Sequence, residues 1–343
     1  MSGKPFVLGS LLLLVVLFAL TGWLSQNAVV PAVVMPTPDT RGYVVGDAFP
    51  KTLVDAYGFR LKLERPPRRI VSGMLAADEM LLDLIPRERI LAVTPYAQDS
   101  TTSNCAVRAK DLPTIPKLGI EQVIAFEPDL VLTARFSDIQ VVSLLRQCSV
   151  PVFCFGRYDS LKDIQDNVSL LGKITGAEKR SREIIEWMDA VLQEVEDRTK
   201  DAEHKPRVLY YSLKATHGRN TILNEIITKA GGRNVADEIG IYGINEIALE
   251  KVLALNPEVI IVPESFAPLG GSSQDTQPSI LSHPEWQSVR AVQEKRVYVL
   301  SRRHLDTISH HVVKAAADMA HVFHPDRVPK KLAVTELPPL PIE

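Results

Sequence analysis

The chain has 343 residues, enough for two domains of ordinary size, and its 45% hydrophobic and 23% charged residues are those of a globular protein. A formal net charge of −2, with no Lys/Arg block, argues against a nucleic-acid partner. Three cysteines are too few for a disulfide scaffold.

In chain order, the first feature is the uncharged run Phe6 to Leu24, preceded by Lys4. It reads as a signal peptide or membrane anchor covering residues 1–27. Leu20-Thr21-Gly22-Trp23 has the shape of a lipoprotein box, but Trp23 stands where the lipidated Cys would be. Either way the body is expected in the periplasm or another extracytoplasmic space, free or anchored to the cytoplasmic membrane through residues 6–24. Residues 28–48, rich in Pro and Val, read as a tether.

Thr52 to Glu64 alternates and turns at Ala56-Tyr57-Gly58, the pattern of a β-hairpin. An α/β alternation follows. Strands are expected at Arg69–Ser72, Ile90–Val93, Asp129–Thr133 and Val150–Phe155, with helices at Ala76–Leu84, Glu121–Phe126 and Ile139–Gln147. From Leu161 to about Ala202 the apolar spacing is helical. Gly172 and Gly176 read as breaks, leaving one long helix from about Ala177 to Asp201. The strand pattern returns at Arg207–Tyr211, Val259–Pro263 and Val297–Leu300. A helix is expected over Thr221–Ala230 with Asn220 as its N-cap, and a terminal helix over Thr307–Phe323. Cys148, Cys154 and Cys105 allow one bridging pair or three buried thiols.

Two stretches are near copies. Ile120–Leu132 and Leu249–Ile261 share Glu, Val, Ala and Pro at one constant offset of 129 positions (Glu121 to Glu250, Pro128 to Pro257). Each reads as a short helix, a proline that stops it, and a buried strand. A unit repeated once suggests two similar lobes with a cleft between them. The fold class expected is α/β: two Rossmann-like lobes with parallel sheets, joined by one long α-helix. The boundaries are an N-terminal lobe over 49–166, a connecting helical region over 167–203, a C-terminal lobe over 204–330 and a loose tail over 331–343.

Phe49 to Gly58 followed by Pro66 to Ser72, Gly231-Gly232-Arg233-Asn234-Val235-Ala236, the two repeats, and Trp286 to Val292 leading into Arg296 to Val299 stand in a specific order and spacing. Together they resemble the periplasmic substrate-binding proteins of ABC importers for iron–siderophore, haem and cobalamin. The resemblance spans about residues 49 to 328. It implies two lobes on one long helix with ligand held between them, and an ABC permease as partner. It also implies that one acidic residue on each lobe docks against that permease, here Glu121 and Glu250. A first-turn glutamate is favoured by the helix dipole in any case.

In parallel sheets, ligands lie beyond the carboxyl ends of the strands. The residues that follow the expected strands are Tyr96; Arg135; Arg157 and Tyr158; Lys214, His217 and Arg219; Glu264 and Phe266; and Arg302, Arg303 and His304. Cations gathered on one rim favour an anionic ligand, and tyrosine and phenylalanine offer flat apolar surface. The ligand set expected is thus Tyr96, Arg135, Arg157, Tyr158, Lys214, His217, Arg219, Phe266, Arg302 and Arg303. The ligand expected is an anionic ferric chelate of the siderophore type, with no cofactor of the protein's own. Haem is the close rival, since Tyr96 or His217 could bind its iron. Cobalamin fits less well, because the short Pro116-Lys117-Leu118-Gly119 stretch supplies no aromatic wall. His304, His310, His311, His321 and His324 crowd the end of the chain, but no partners with clear metal spacing accompany them. G-x-S-x-G, H-E-x-x-H and G-x-G-x-x-G are all absent, so no enzyme is expected. An anchored envelope protein that keeps the fold without transporting remains the third reading.

Overall fold

The computed structural model describes residues 41–264 and 277–340. The segment over 1–27, most of the tether over 28–48, and Phe266 lie outside the described residues. Among the described residues no helix is long and apolar enough to cross a membrane.

The described chain opens with an antiparallel sheet of β1 (Tyr43–Val45), β2 (Lys51–Val54) and β3 (Arg60–Leu63), in the order β1-β2-β3. The β2–β3 hairpin is the one expected. β1 corrects the reading of 28–48 as tether throughout: Tyr43 to Val45 pair with Val54 to Thr52 and satisfy what would be a bare edge of β2. Asp55 pins the hairpin turn. Buried, it accepts the Tyr57 and Phe59 N–H groups at 2.9 and 3.0 Å and pairs with Arg146.

The first lobe follows: β4 (Ile70–Ser72), α1 (Leu75–Leu84), β5 (Ile90–Ala92), α2 (Ile120–Ala125), β6 (Leu130–Ala134), α3 (Ile139–Gln147) and β7 (Val152–Phe155). Its four strands are parallel, in the order β5-β4-β6-β7. α4 (Leu161–Thr175) and α5 (Glu178–Thr199) come next. The second lobe comprises β8 (Arg207–Tyr210), β9 (Ala215–His217), α6 (Ile222–Lys229), β10 (Arg233–Asn234), β11 (Ile244–Glu246), α7 (Leu249–Leu255), β12 (Val259–Pro263), β13 (Val297–Leu300) and α8 (Val313–Phe323). Its main sheet is parallel in the order β10-β8-β12-β13, while β9 and β11 form a separate antiparallel ribbon. Counted within each lobe, both main sheets run second, first, third, fourth strand.

The repeated sequence is a repeated corner. After α2, Glu127 turns left-handed (φ 46°); after α7, Asn256 does the same (φ 45°), and a proline follows each. An arginine that opens the first strand of its lobe then closes the corner. Arg69 donates to the Phe126 and Glu127 carbonyls at 2.5 and 2.9 Å, and Arg207 to the Leu255 carbonyl at 2.6 Å. Asp129 accepts the Arg69 N–H at 2.9 Å, and Glu258 accepts the Arg207 N–H at 2.9 Å. The offset of 129 therefore marks the helix–strand unit that feeds the third strand of each sheet.

α5 joins the lobes. Ile184, Met188, Val191, Leu192 and Val195 are buried on one side of it, as their spacing foretold; Trp187 joins them, while Ile185 of the same expected set is only partly buried. The buried ones belong to one continuous apolar cluster reaching from Leu53 and Ile70 in the first lobe to Val208, Ile227 and Met319 in the second. A shared core of this kind opposes a wide hinge motion. Gly172 is not a helix break. It lies inside α4 where α4 crosses α5, and a Cβ there would sit 2.3 Å from Ser181 Oγ. Gly176, left-handed at φ 75°, is what ends α4. Replacing Gly172 by Val is expected to destabilise the protein by about 1–3 kcal/mol through overpacking, read as a lower urea midpoint. An unchanged midpoint would mean that the two helices can part freely.

Three further expectations are corrected. α6 is capped by Thr221, whose Oγ1 accepts the Asn224 N–H at 3.2 Å; Asn220 is left-handed one residue earlier. The terminal helix begins at Val313 after a 3₁₀ turn over His310–Val312, because Thr307 and Ser309 give their hydroxyls to Glu79. The tail from 331 is strapped down as far as it is described: Trp187 Nε1 donates to the Val334 carbonyl at 2.9 Å, and Arg180 donates to the Pro338 carbonyl at 2.5 Å. All three cysteines are free, Cys105 and Cys154 buried and Cys148 exposed.

Candidate functional site: the cleft between the lobes

In each lobe the strand order reverses between the first and third strands, β4/β6 and β8/β12, which is where a parallel sheet opens a crevice at its carboxyl edge. The contacts that join the lobes leave from those edges. The Leu161 N–H, at the start of α4 beyond β7, donates to Glu225 Oε2 at 2.8 Å. Asn104, beyond β5, donates to the Arg303 carbonyl beyond β13 at 2.7 Å. Thr307 donates to Glu79 Oε2 at 2.7 Å. The two carboxyl edges therefore face each other, with the strand-end loops between them.

On the first lobe these loops present Tyr96 and Phe136, both more than half exposed. Tyr158 lies behind them, buried. Its ring centroid is 6.0 Å from that of Phe136, and its hydroxyl is 3.3 Å from Met74 Sδ. Burial raises the Tyr158 hydroxyl well above its ordinary pKa, so it stays protonated behind the Phe136 ring. Arg135 is exposed and forms no ion pair among the described residues; its carbonyl accepts from the Tyr57 hydroxyl at 3.3 Å.

On the second lobe the wall begins with Tyr210, whose hydroxyl donates to Asp306 Oδ1 at 3.1 Å. Arg302 Nη1 binds the other oxygen of Asp306 at 2.5 Å, and its Nε donates to the Glu264 carbonyl at 3.0 Å. The His217 ring stands edge-on to Tyr210, centroids 5.0 Å apart. Burial pushes the His217 pKa down to about 4, so at neutral pH it is an uncharged imidazole. Ile244 lies directly across the ribbon from His217. Ile244, Tyr242 and Leu213 are each more than half exposed. Lys214, beside Leu213, is exposed and forms no ion pair among the described residues.

Of the expected ligand set, the structure brings Tyr96, Arg135, Tyr158, Lys214, His217 and Arg302 to the facing edges. Arg157 turns onto α4: it lies 3.7 and 3.6 Å from Asp159 and Asp163, and with Arg41 and Tyr43 it lines a cavity of about 290 Å³. Arg219 pairs with Asp237. Arg303 lines another cavity, also about 290 Å³, with His304, Lys314, Lys330 and Lys331. Phe266 lies outside the described residues. The cationic rim is thus weaker than expected, because Arg157, Arg219 and Arg302 face carboxylates of their own lobes. The sequence reading passed over Phe136, Leu213, Tyr242 and Ile244. Phe136 had a usable signal, a large apolar residue just past a buried strand and next to an arginine already chosen.

The fold agrees with comparisons to known proteins. Residues 70–303 match the family described as periplasmic binding protein. The chain belongs to the periplasmic binding protein family. An ABC transporter substrate-binding lipoprotein of Bacillus subtilis, YvrC, itself uncharacterised, is 21% identical over 84% of this chain and 90% of its own length. A cobalamin-binding protein of Halobacterium salinarum is 26% identical over 81% of this chain and 75% of its own. The solved structure of the periplasmic haem-binding protein RhuT from Roseiflexus sp. RS-1 is 23% identical, covers 75% of this chain and 98% of its own, and superposes with a TM-score of 0.66.

As a periplasmic binding protein, the chain is a substrate-binding component of the ABC-importer type. Glu121 and Glu250 occupy equivalent places within it. Each is exposed in the first turn of its helix, α2 in the first lobe and α7 in the second.

Proposed function

We propose that this binding protein captures a planar macrocyclic metal chelate, a metallated tetrapyrrole or corrinoid, between its lobes and delivers it to an ABC permease. The observation that carries this reading is the exposed apolar surface on the strand-end loops of both lobes. Tyr96 and Phe136 on one lobe, and Leu213, Tyr242 and Ile244 on the other, leave more than half of each side chain in solvent. Apolar surface held open in a cleft is what a flat apolar ligand covers. His217, neutral and on the wall, is the candidate axial ligand, with exposed Tyr96 as its rival. A haem-binding neighbour and a cobalamin-binding relative support the ligand class. Glu121 and Glu250 are the docking points for the permease. The segment over 1–27 exports the protein, and an uncleaved 6–24 run would keep it on the membrane.

Absorbance titrations of the purified protein with haemin, cyanocobalamin and a ferric catecholate siderophore test the reading. One of the macrocycles is expected to saturate at one per chain at micromolar concentration or below. The second reading, an anionic ferric siderophore, is favoured by exposed Arg135 and Lys214; siderophore binding without macrocycle binding would establish it instead. If haemin is the ligand, replacing His217 by Ala is expected to shift the visible spectrum of the bound haem. An identical spectrum would remove His217 from the iron.

A further inference from the structure

The segment from Arg302 to His311 runs from the cleft wall into the junction between the lobes. Arg302 and Asp306 belong to the wall, and Thr307, Ser309, His310 and His311 close onto α1 of the first lobe. His310, His311 and Asp83 are all buried. Each imidazole Nε2 lies 3.0 Å from Asp83 Oδ2, and the two ring centroids are 4.1 Å apart. Arg108 binds Asp83 from the other side, with Nη2 at 2.9 Å from Oδ2 and Nη1 on Oδ1. One turn earlier on α1, Glu79 Oε2 accepts from Thr307 and Ser309.

Hydrogen-bond accounting sets the tautomer. An ionised aspartate only accepts, so each Nε2 carries the hydrogen. Both Nδ1 atoms are buried without a partner among the described residues. An unpaired lone pair there is tolerable. A proton there would be a buried donor on a buried charge with no acceptor, which costs far more. Around the rings stand the cations Arg108, Arg180 (Nε on the Asp83 carbonyl at 3.0 Å) and Lys314. The anions are Asp83, Glu79 and Glu336, and Trp187 presents its ring to both imidazoles at 6.0 Å. A metal ion on the same three atoms would force both hydrogens onto Nδ1 and leave two buried donors unpaired beside Arg108.

We propose that Asp83, His310 and His311 form a proton-sensitive clasp between the two lobes, loosened when His311 takes a proton. The clasp does not depend on the identity of the ligand. Burial pushes His311 well below its ordinary pKa, with His310 and Lys314 lowering it further against Asp83. For a histidine whose folded pKa is depressed, the folded state binds fewer protons than the unfolded one. Its contribution is therefore complete above the unfolded value of about 6.5 and is lost as pH falls below it. Asp78, pushed up to about 7 by burial, acts in the opposite sense, so the comparison must be between variants.

The test is urea unfolding of the full chain at pH 8 and pH 5.5, wild type against His310→Gln/His311→Gln, whose amides donate to Asp83 but do not titrate. Between the two pH values the unfolding constant of the wild type is expected to rise about tenfold more than that of the variant, the effect of at least one linked proton. Equal rises overturn the clasp. Hydrogen exchange of the wild type alone supplies a second reading if the variant does not fold. Peptides over 75–84 and 303–312 should lose protection together at pH 5.5, after correction for intrinsic rates, while β4 and β8 keep theirs; unchanged protection overturns the proposal. So does a stabilisation by zinc at pH 8 that the glutamine variant lacks, which would make the cluster a metal site.

Discussion

Replacing Phe136 and Ile244 together by Asp is expected to weaken macrocycle binding at least a hundredfold while leaving the urea midpoint nearly unchanged. Both side chains are more than half exposed, so the folded protein gains little from them. Against a flat ligand each would lose that exposure, and covering an apolar side chain of this size contributes about 1.5–3 kcal/mol. An aspartate in the same place must also shed water against an apolar face. A loss of about 2.7 kcal/mol is a hundredfold in the dissociation constant, and one residue on each wall supplies it. Affinity within threefold of the wild type, measured by the same titration, would place the ligand elsewhere.

The second large effect falls on delivery. Changing Glu121 and Glu250 to Arg is expected to reduce uptake in cells to the level of a strain lacking the binding protein, with ligand affinity unchanged in vitro. The two carboxylates are exposed, sit in the first turns of equivalent helices and belong to different lobes. A permease that engages both lobes at once would meet two like charges where it expects two opposite ones, and such juxtapositions cost several kcal/mol. Either single reversal should leave partial uptake. Full uptake by the double variant would show that docking uses another surface.

The fold was readable because its signals are local. β12 and β13 fall on the residues their β-branched runs mark, and α5 is written in the spacing of Ile184, Met188, Val191 and Val195. The repeat was legible because both corners need the same hydrogen-bonded turn. Gly172 misled because propensity treats glycine as a breaker, whereas here it allows two helices to touch, a fact that only the crossing of α4 and α5 reveals. The site was half legible. Position after a strand put Tyr96, Arg135 and His217 at the carboxyl edges, where the structure has them. It could not show that Arg157 would be drawn to Asp163, or Arg219 to Asp237, because ion pairing depends on where the side chains point. The apolar half of the cleft was missed because an exposed hydrophobic residue carries no mark in sequence. Only burial in the folded chain distinguishes Phe136 from a core phenylalanine such as Phe153.

The most direct measurement is the absorption spectrum and mass of the small molecule that copurifies with the full chain from its own cells. One tetrapyrrole or corrinoid per chain is the result expected from walls built of Tyr96, Phe136, Leu213, Tyr242 and Ile244. A colourless oxyanion or a linear siderophore in that place would contradict the reading of the cleft as a seat for a flat macrocycle.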